Sequence, residues 1–558
     1  MSASSKKKLR KEQEAARMTE RQEKARKEAK KTKVYTAVFA IIMAAVLLIA
    51  VILLPYNCAK SSGYFTKKTI AAVTGEHELN SVEMSYYFND TISNQYAEWS
   101  EMYGDYVSFY TSMWGLDLTK PLDEQKYDDD MTWSDFFVEK SLNAAKETYA
   151  LYDKAMAEGL TLTEEQEKDI ETTMSQVSMY ANLYGYSNLS DYLVALYGYG
   201  SSEASYREYQ HVNAIASAYY NAHQDSLEYT ADDVKAHNEK NPAAYNSYSF
   251  NAYYVTVADY LPEATKAEDG TTVPYTDEEK ETARAAAEKV ANDLSAAKSV
   301  VELDSLIAAL EINKDQEGIA SDPYVDSLYS SLPSSFQTWL SAEGRKIGDI
   351  TVIEDRLLPE DHEHEEGEEH SEDEGEINGY YVVIFNGVKF NNEPLANVRH
   401  LLVSFKGGTY NSETGETTYS DTEKAAAKET AEKYLNEWKQ GETTEETFIA
   451  LVKKYSDDSS KEEGGLFEDI TPVSNYVENF LNWSIDPDRK AGDVEIIETE
   501  YGYHIMYYVA DDEYTYREYM IRNDLLSADM EAWYKTIIDP VTITQKDISY
   551  LPLDRSVN

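Results

Sequence analysis

The chain has 558 residues, 42% hydrophobic and 27% charged, which is enough for several domains with their own cores and too apolar for wholesale disorder. Its net charge of −51 argues against nucleic acid as a partner, because phosphate binding needs clustered Lys and Arg. A single cysteine, Cys58, excludes an intrachain disulfide and any zinc or iron–sulfur centre built from cysteines.

The charge is unevenly spread. Residues 1–34 hold 13 Lys/Arg against 5 Asp/Glu, which leaves −59 on the remainder. Residues 1–33 form a basic tract with no apolar face. Residues 34–54 carry no charge, and as a helix they span roughly 30 Å, the hydrocarbon thickness of a bilayer. Positive charge stands only on the N-terminal side of this run, so the positive-inside rule puts the tail in the cytoplasm and the bulk of the chain outside. Cleavage of a signal peptide fits less well, because the apolar run is long and Pro55, Tyr56 and Asn57 make a poor cleavage site. Lipidation at Cys58 would want small residues where Tyr56 and Asn57 stand.

Residues 55–68 read as a linker. Residues 69–74 read as a strand, Gly75-Glu76 as a turn, and Asn80 or Ser81 as a helix cap. From about Thr132 to His223 apolar residues recur at helical spacing, punctuated by Gly159, Asn188 and Gly198-Gly200; a further helix starts near Ala231-Asp232. Residues 69–239 are therefore expected to form an all-helical, tyrosine-rich domain. Its tyrosines serve either as core or as a groove for extended chains.

The rest of the chain contains an internal repeat. SSFQTWLSAEGRKIGD (334–349) matches ENFLNWSIDPDRKAGD (478–493) at Phe336/Phe480, Trp339/Trp483, Arg345/Arg489 and Gly348/Gly492. Upstream, FNAYYVTV (250–257) matches VRHLLVSF (398–405), each followed by a long helix rich in Ala and Lys. Downstream, GYYVVIF (379–385) matches GYHIMYY (502–508). Two copies of one α/β unit follow, at 240–392 and 393–512. The first carries an acidic insertion, 361–376, whose His362, His364 and His370 have no spacing that specifies a metal geometry, so no metal site is expected. Where the second copy has His400 and His504, the first has Ala252 and Tyr381. Between those histidines lies YSDDSSKEEGGLF (455–467), with Asp457 and Asp458 ahead of Gly464-Gly465.

VRHLLVSF, FIALVKKYSDDSS, GGLF, NYVENF, AGDV and YGYHIMYY, in that order over 394–512, resemble the parvulin type of peptidyl-prolyl isomerase domain. The whole arrangement resembles the PrsA/SurA group of extracytoplasmic foldases, in which a helical chaperone module precedes one or two parvulin units. The resemblance implies His400, Asp458 and His504 as the catalytic group. It implies Asn475, Tyr476 and Phe480 as the substrate-binding side, with Tyr476 and GGLFED as departures from the usual pattern. It also implies that residues 513–558 pack back on the helical domain, and it calls for no cofactor.

The expectation is thus a multi-domain α+β chain: basic tail, transmembrane helix, helical chaperone-like domain, a degenerate parvulin-like domain and a parvulin-type isomerase domain. Its expected partners are unfolded or newly exported polypeptides, basic or extended ones being favoured by the acidic exterior, and the cell membrane through the N-terminal helix, with no nucleic acid. The alternative is a holdase in which the parvulin folds only bind clients, and a metal buffer on the His/Glu insertion ranks third.

Overall fold

A computed structural model describes residues 56–266, 271–357, 375–411 and 417–553, with a few positions before residue 44. Most of the apolar run 34–54, the basic tail and the histidines of the acidic insertion lie outside the described residues. Among the described residues no helix is long and apolar enough to cross a membrane. The chain divides into two compact units: residues 1–228 with 528–558, and residues 229–527.

The first unit runs through helix α1 (Tyr64–Lys68), strands β1 (Ile70–Thr74) and β2 (His77–Asn80), and helices α2 (Ser81–Tyr103), α3 (Val107–Met113), α4 (Trp133–Glu158), α5 (Glu164–Leu183), α6 (Leu189–Tyr197) and α7 (Glu203–Asp225). Its helix starts are written in capping residues. The Asn80 side chain accepts from the N–H groups of Val82 and Glu83, and the Glu83 carboxylate accepts from the N–H of Asn80. Thr132 with Asp135 and Thr163 with Gln166 repeat this device, and Gly159 ends α4 in the left-handed region. The supposed linker 55–68 is largely helical from residue 56 onward. Gly63 has φ 71° and lies so close to Gly200 (φ 99°) that a Cβ on Gly63 would stand 2.1 Å from the Gly200 Cα, which gives the 198–200 punctuation a packing reason.

Among the described tyrosines of this unit, Tyr86, Tyr87 and Tyr206 are buried in the core, and others pack against it partly exposed. Tyr86 is fully buried, with the rings of Tyr197, Tyr206 and Tyr209 within 5.4 Å, and the Tyr209 hydroxyl donates to the half-buried Asp90 carboxylate at 2.8 Å. Exposed apolar side chains gather elsewhere. Met102, Tyr106, Phe109 and Met113 stand around α3, and Met179, Tyr180, Leu183 and Tyr184 at the end of α5. β1 is the centre of a three-stranded antiparallel sheet, paired with β2 and with the strand Ile543–Gln545. Ile543, Ile548 and Leu551 join the core around Phe88 and Phe137, and Trp533 stacks on His223 at 4.1 Å.

The second unit begins with α8 (Ala231–Asn238), whose Val234 packs with Tyr245 and Ile521. Residues 229–239, assigned to the helical domain in the sequence reading, therefore belong to this unit, as do residues 513–527 of the C-terminal segment. Two similar modules follow. The first holds β3 (Ser247–Thr256), α9 (Asp277–Leu294), α10 (Val300–Ala308), β4 (Asp322–Leu328), α11 (Ser334–Leu340), β5 (Ile350–Leu357) and β6 (Glu376–Lys389). The second holds β7 (Pro394–Ser404), a hairpin of β8 (Thr409–Tyr410) and β9 (Thr417–Thr418), α12 (Asp421–Lys439), α13 (Glu445–Tyr455), β10 (Leu466–Ile470), α14 (Glu478–Ser484), β11 (Val494–Glu498) and β12 (Gly502–Thr515). α15 (Tyr516–Ile538) then carries the chain from this unit back into the first.

The two sheets have the same order, β4-β3-β6-β5 and β10-β7-β12-β11, with every pairing antiparallel. The repeated Trp and Arg also do the same work in both: Arg345 lies over Trp339 at 3.9 Å and Arg489 over Trp483 at 4.4 Å. In the second module the strand period of two sorts the side chains. Leu401, Val403, Ile505 and Tyr507 face α12 and α13, with Ala431, Phe448 and Val452. Val398, Met506 and Tyr508 face α14, with Phe480 and Trp483.

Candidate active site

The two central strands of the second module bring the histidines together. In the β7–β12 register, His400 stands opposite Met506 and His504 opposite Leu402, so the imidazoles are diagonal neighbours on the α14 face. Their Nδ1 atoms are 2.8 Å apart and the rings stack at 5.0 Å and 17°. His504 Nε2 lies 2.9 Å from the Thr499 hydroxyl, and His400 Nε2 lies 3.4 Å from Asp458 Oδ1. That last distance suits an ion pair but is long for a hydrogen bond, and no hydrogen-bond partner meets His400 Nε2. Asp458 Oδ1 is also held by the Ser460 N–H at 2.9 Å and hydroxyl at 2.5 Å.

The charge state of this row follows from its surroundings. The interaction with His400, reinforced by the Ser460 bonds, keeps the Asp458 carboxyl far below the usual carboxylate range. Burial first, and the neighbouring His400 second, push His504 down to about 3. His504 is therefore neutral, and the two facing Nδ1 atoms share one proton. Neutral His504 has one donor and one acceptor nitrogen, and its two contacts, to His400 Nδ1 and to the Thr499 hydroxyl, use one of each.

Exposure separates the roles. His400 and His504 are 2% and 4% exposed, too buried to meet a substrate over any large area, whereas the Asp458 side chain is 22% exposed. The imidazole pair therefore stands behind Asp458, the member of the row that is open to solvent. Beside it lies an aromatic cluster. Phe480 is buried, 5.3 Å from the His400 ring, 5.6 Å from Phe467 and 5.3 Å from the partly exposed Tyr476. Asn475 is exposed on the same loop and makes none of the hydrogen bonds of this cluster.

Two supports were not singled out in the sequence. Thr499 sits in the turn before β12, and only the fold-back of the β11–β12 hairpin carries it to His504. Arg399 fixes the other side: its guanidinium pairs with Glu445 at 2.7 Å and donates to the carbonyls of Glu463 and Gly464, both at 3.1 Å. The next residue, Gly465, accepts the His400 N–H through its carbonyl at 2.9 Å. In the first module the corresponding Tyr381 lies edge-on to Phe336 at 5.3 Å, and Ala252 replaces the other imidazole. Among the described residues no group of three His, Cys, Asp or Glu side chains is placed to hold a metal ion.

Residues 400–510 match the Rotamase family model, described as the PPIC-type PPIASE domain. These residues form a parvulin-type peptidyl-prolyl isomerase domain. A search of curated proteins found no match for the chain. Among solved structures, the chain is similar to the PPIase domain of TbPar42, at 23% identity over 20% of this chain and 98% of that one, with a TM-score of 0.16. It is similar to the peptidylprolyl isomerase PrsA from Bacillus cereus at 25% identity over 27% and 50% of the two chains, TM-score 0.16. It is also similar to PrsA from Bacillus subtilis at 23% identity over 26% and 47%, TM-score 0.17. This chain thus spans about half the length of those two PrsA chains.

The isomerase domain makes a pH prediction. The unfolded chain takes a proton at residue 504 near pH 6.5, which the folded domain refuses down to about pH 3. The site therefore contributes full stability above pH 6.5 and loses up to about 1.4 kcal/mol per unit of acidification below it. In NMR spectra the His504 ring signals should hold their neutral positions from pH 8 to pH 4.5. A midpoint near 6.5 at that residue would overturn the buried neutral assignment.

Proposed function

We propose that this protein is a membrane-anchored foldase working outside the cytoplasm, in which the isomerase domain turns X–Pro bonds of clients held by the helical unit. The carrying observation is the row Thr499–His504–His400–Asp458 beside the Phe467/Tyr476/Phe480 cluster. An X–Pro bond crosses a barrier of about 18–20 kcal/mol with no bond made or broken, so the site has only to bind the twisted amide better than either planar form. On twisting, the amide loses resonance, the carbonyl oxygen loses negative charge and the nitrogen regains its lone pair. A carboxylate held ionised at Asp458 disfavours the resonance form with charge on oxygen, while the aromatic pocket grips the prolyl ring. His400 and His504 hold Asp458 in place, and Phe480 and Tyr476 wall the pocket, with Asn475 at its mouth.

The 247–389 module shares the strand order and lacks the imidazole pair, so we read it as a degenerate parvulin domain that binds without turning over. The exposed Met and aromatic side chains around α3 and at the end of α5 supply adaptable surface for unfolded segments. They favour holding clients as a second activity of the same chain. Anchoring rests on the uncharged run 34–54 behind its basic tail.

The test is a client whose refolding is limited by proline isomerisation, with the full chain in detergent or its Asp458→Ala variant added. The foldase reading expects the parent to accelerate the slow phase and the variant to lose that acceleration. Equal suppression of aggregation by both, with no acceleration by either, would leave only the holdase. Protease added outside intact cells should cut the bulk of the chain and spare the basic tail; full protection would remove the extracytoplasmic placement.

A further inference from the structure

The segment that follows the uncharged run is not a free tether. The run ends at Leu54, and Pro55 alone separates it from Tyr56, where described helix begins. Residues 56–61 are helical, residues 62–63 turn, and α1 follows. The segment is packed on the first unit. Gly63 lies against Gly200, the Thr66 hydroxyl donates to the Tyr199 carbonyl at 2.6 Å, and the Thr69 carbonyl accepts the Ser81 N–H at 2.9 Å. Phe65 stacks on Tyr550 at 5.8 Å and 8°, and the rings of Tyr56 and Tyr64 each lie 5.6 Å from it. Three rings of this neighbourhood are left open: Tyr56 is 50% exposed, Tyr64 57% and Tyr199 41%. The charge here is unlike the rest of the exterior. Residues 55–68 hold Lys60, Lys67 and Lys68, all exposed, and no acid, in a remainder that carries −59.

These facts limit how far the first unit can stand from a bilayer. An apolar run that ends at Leu54 leaves the hydrocarbon there, and the headgroup layer beyond it is about 5–8 Å thick. Even fully extended, the two steps from Leu54 to Tyr56 span at most about 7 Å, which puts Tyr56 at the headgroups. The chain then turns back: the contact of the Tyr56 and Phe65 rings brings α1 to the same level, and the Thr66 bond carries Tyr199 with it. We infer that the first unit is seated directly on the bilayer surface through residues 56–68 and Tyr199, with the three open tyrosine rings at the headgroup level and Lys60, Lys67 and Lys68 against lipid phosphates. Tyrosine suits that layer because its ring is apolar and its hydroxyl stays wet. The lysines also let so acidic a protein approach an anionic surface. At physiological salt, charges farther off than about 8 Å are largely screened, so the charges at the contact decide. Each lysine there is worth roughly fivefold in binding to anionic lipid.

This inference rests on the membrane-anchor reading of residues 34–54 and extends it. The single cysteine supplies a probe, because Cys58 is exposed within the proposed contact. The full chain is placed in nanodiscs of phosphatidylcholine, with or without phosphatidylglycerol, and spin-labelled at Cys58 or at Tyr199→Cys in a Cys58→Ser background. Depth is read from the label's relative exposure to oxygen and to a water-soluble nickel chelate. Both labels should report the headgroup layer in the anionic discs. Lys60→Glu, Lys67→Glu and Lys68→Glu together should raise nickel exposure at position 199 several-fold and leave position 58 at the surface. A label at position 199 fully in water in both lipids, with position 58 at the headgroups, would overturn the seating and leave the anchor standing. An unchanged depth at position 199 in the glutamate variant would overturn the lysine contact. Release of the chain from the discs by high salt would overturn seating and anchor together. Should Tyr199→Cys fail to fold, Tyr64→Cys, at an exposed position, carries the same comparison.

Discussion

Asp458→Ala should lower kcat/KM for X–Pro isomerisation by roughly 10²–10³-fold, the loss usual when one preorganised electrostatic group is removed from a site. The carboxylate is the exposed member of a buried row, and its removal takes from His400 Nε2, which has no hydrogen-bond partner, the one carboxylate that faces it at 3.4 Å. The fold should survive, because Asp458 caps only the short turn Ser459–Lys461, a device worth about 1 kcal/mol. Circular dichroism should be unchanged while peptide isomerisation collapses. Asp458→Asn is the sharper variant, since it keeps an acceptor for Ser460 and removes the charge. Retention of activity by the asparagine variant would show that hydrogen bonding, not charge, is what the site needs.

Gly465→Ala should be the most damaging single methyl group in the domain. Gly465 has φ 68°, a region that costs an alanine about 1–2 kcal/mol, and its Cβ would stand 2.1 Å from the His400 carbonyl oxygen. The turn cannot back away, because the Gly465 carbonyl holds the His400 N–H and Arg399 ties the two preceding carbonyls. We expect a loss of about 3 kcal/mol or more of domain stability, seen as an earlier urea transition, together with loss of isomerisation. A variant of parental stability would mean that β10 can slide along β7 and that the turn does not set the position of His400.

Much of this was legible from residue types and their order. Asn80, Thr132 and Thr163 announce helices, because a capping side chain and its partner three residues on satisfy backbone groups locally. The duplication was legible because Phe, Trp, Arg and Gly recur at equal spacing, and the two sheets have one order. His400 and His504 stood out as residues lost together in the other copy, and the β7–β12 register puts them in contact. What escaped depends on distance in the chain. Thr499 reaches His504 only through a hairpin. The 527/528 division falls inside a continuous helix, where no change of composition marks it. The strand Ile543–Gln545 has three residues, too few for a period, and is a strand only because β1 offers it an edge.

That last pairing fixes an order of events. The first unit takes its sheet from two stretches of chain separated by the whole of residues 229–527. While the chain is being made, β1 waits with one edge unpaired, and such an edge invites adhesion to any passing strand. The inserted unit has all its own strands to hand and can fold first, which draws the two distant stretches into fewer effective links and eases closure of the loop. The first unit is thus itself unfinished until residue 545 has been made, and for that interval β1 is an open sheet edge.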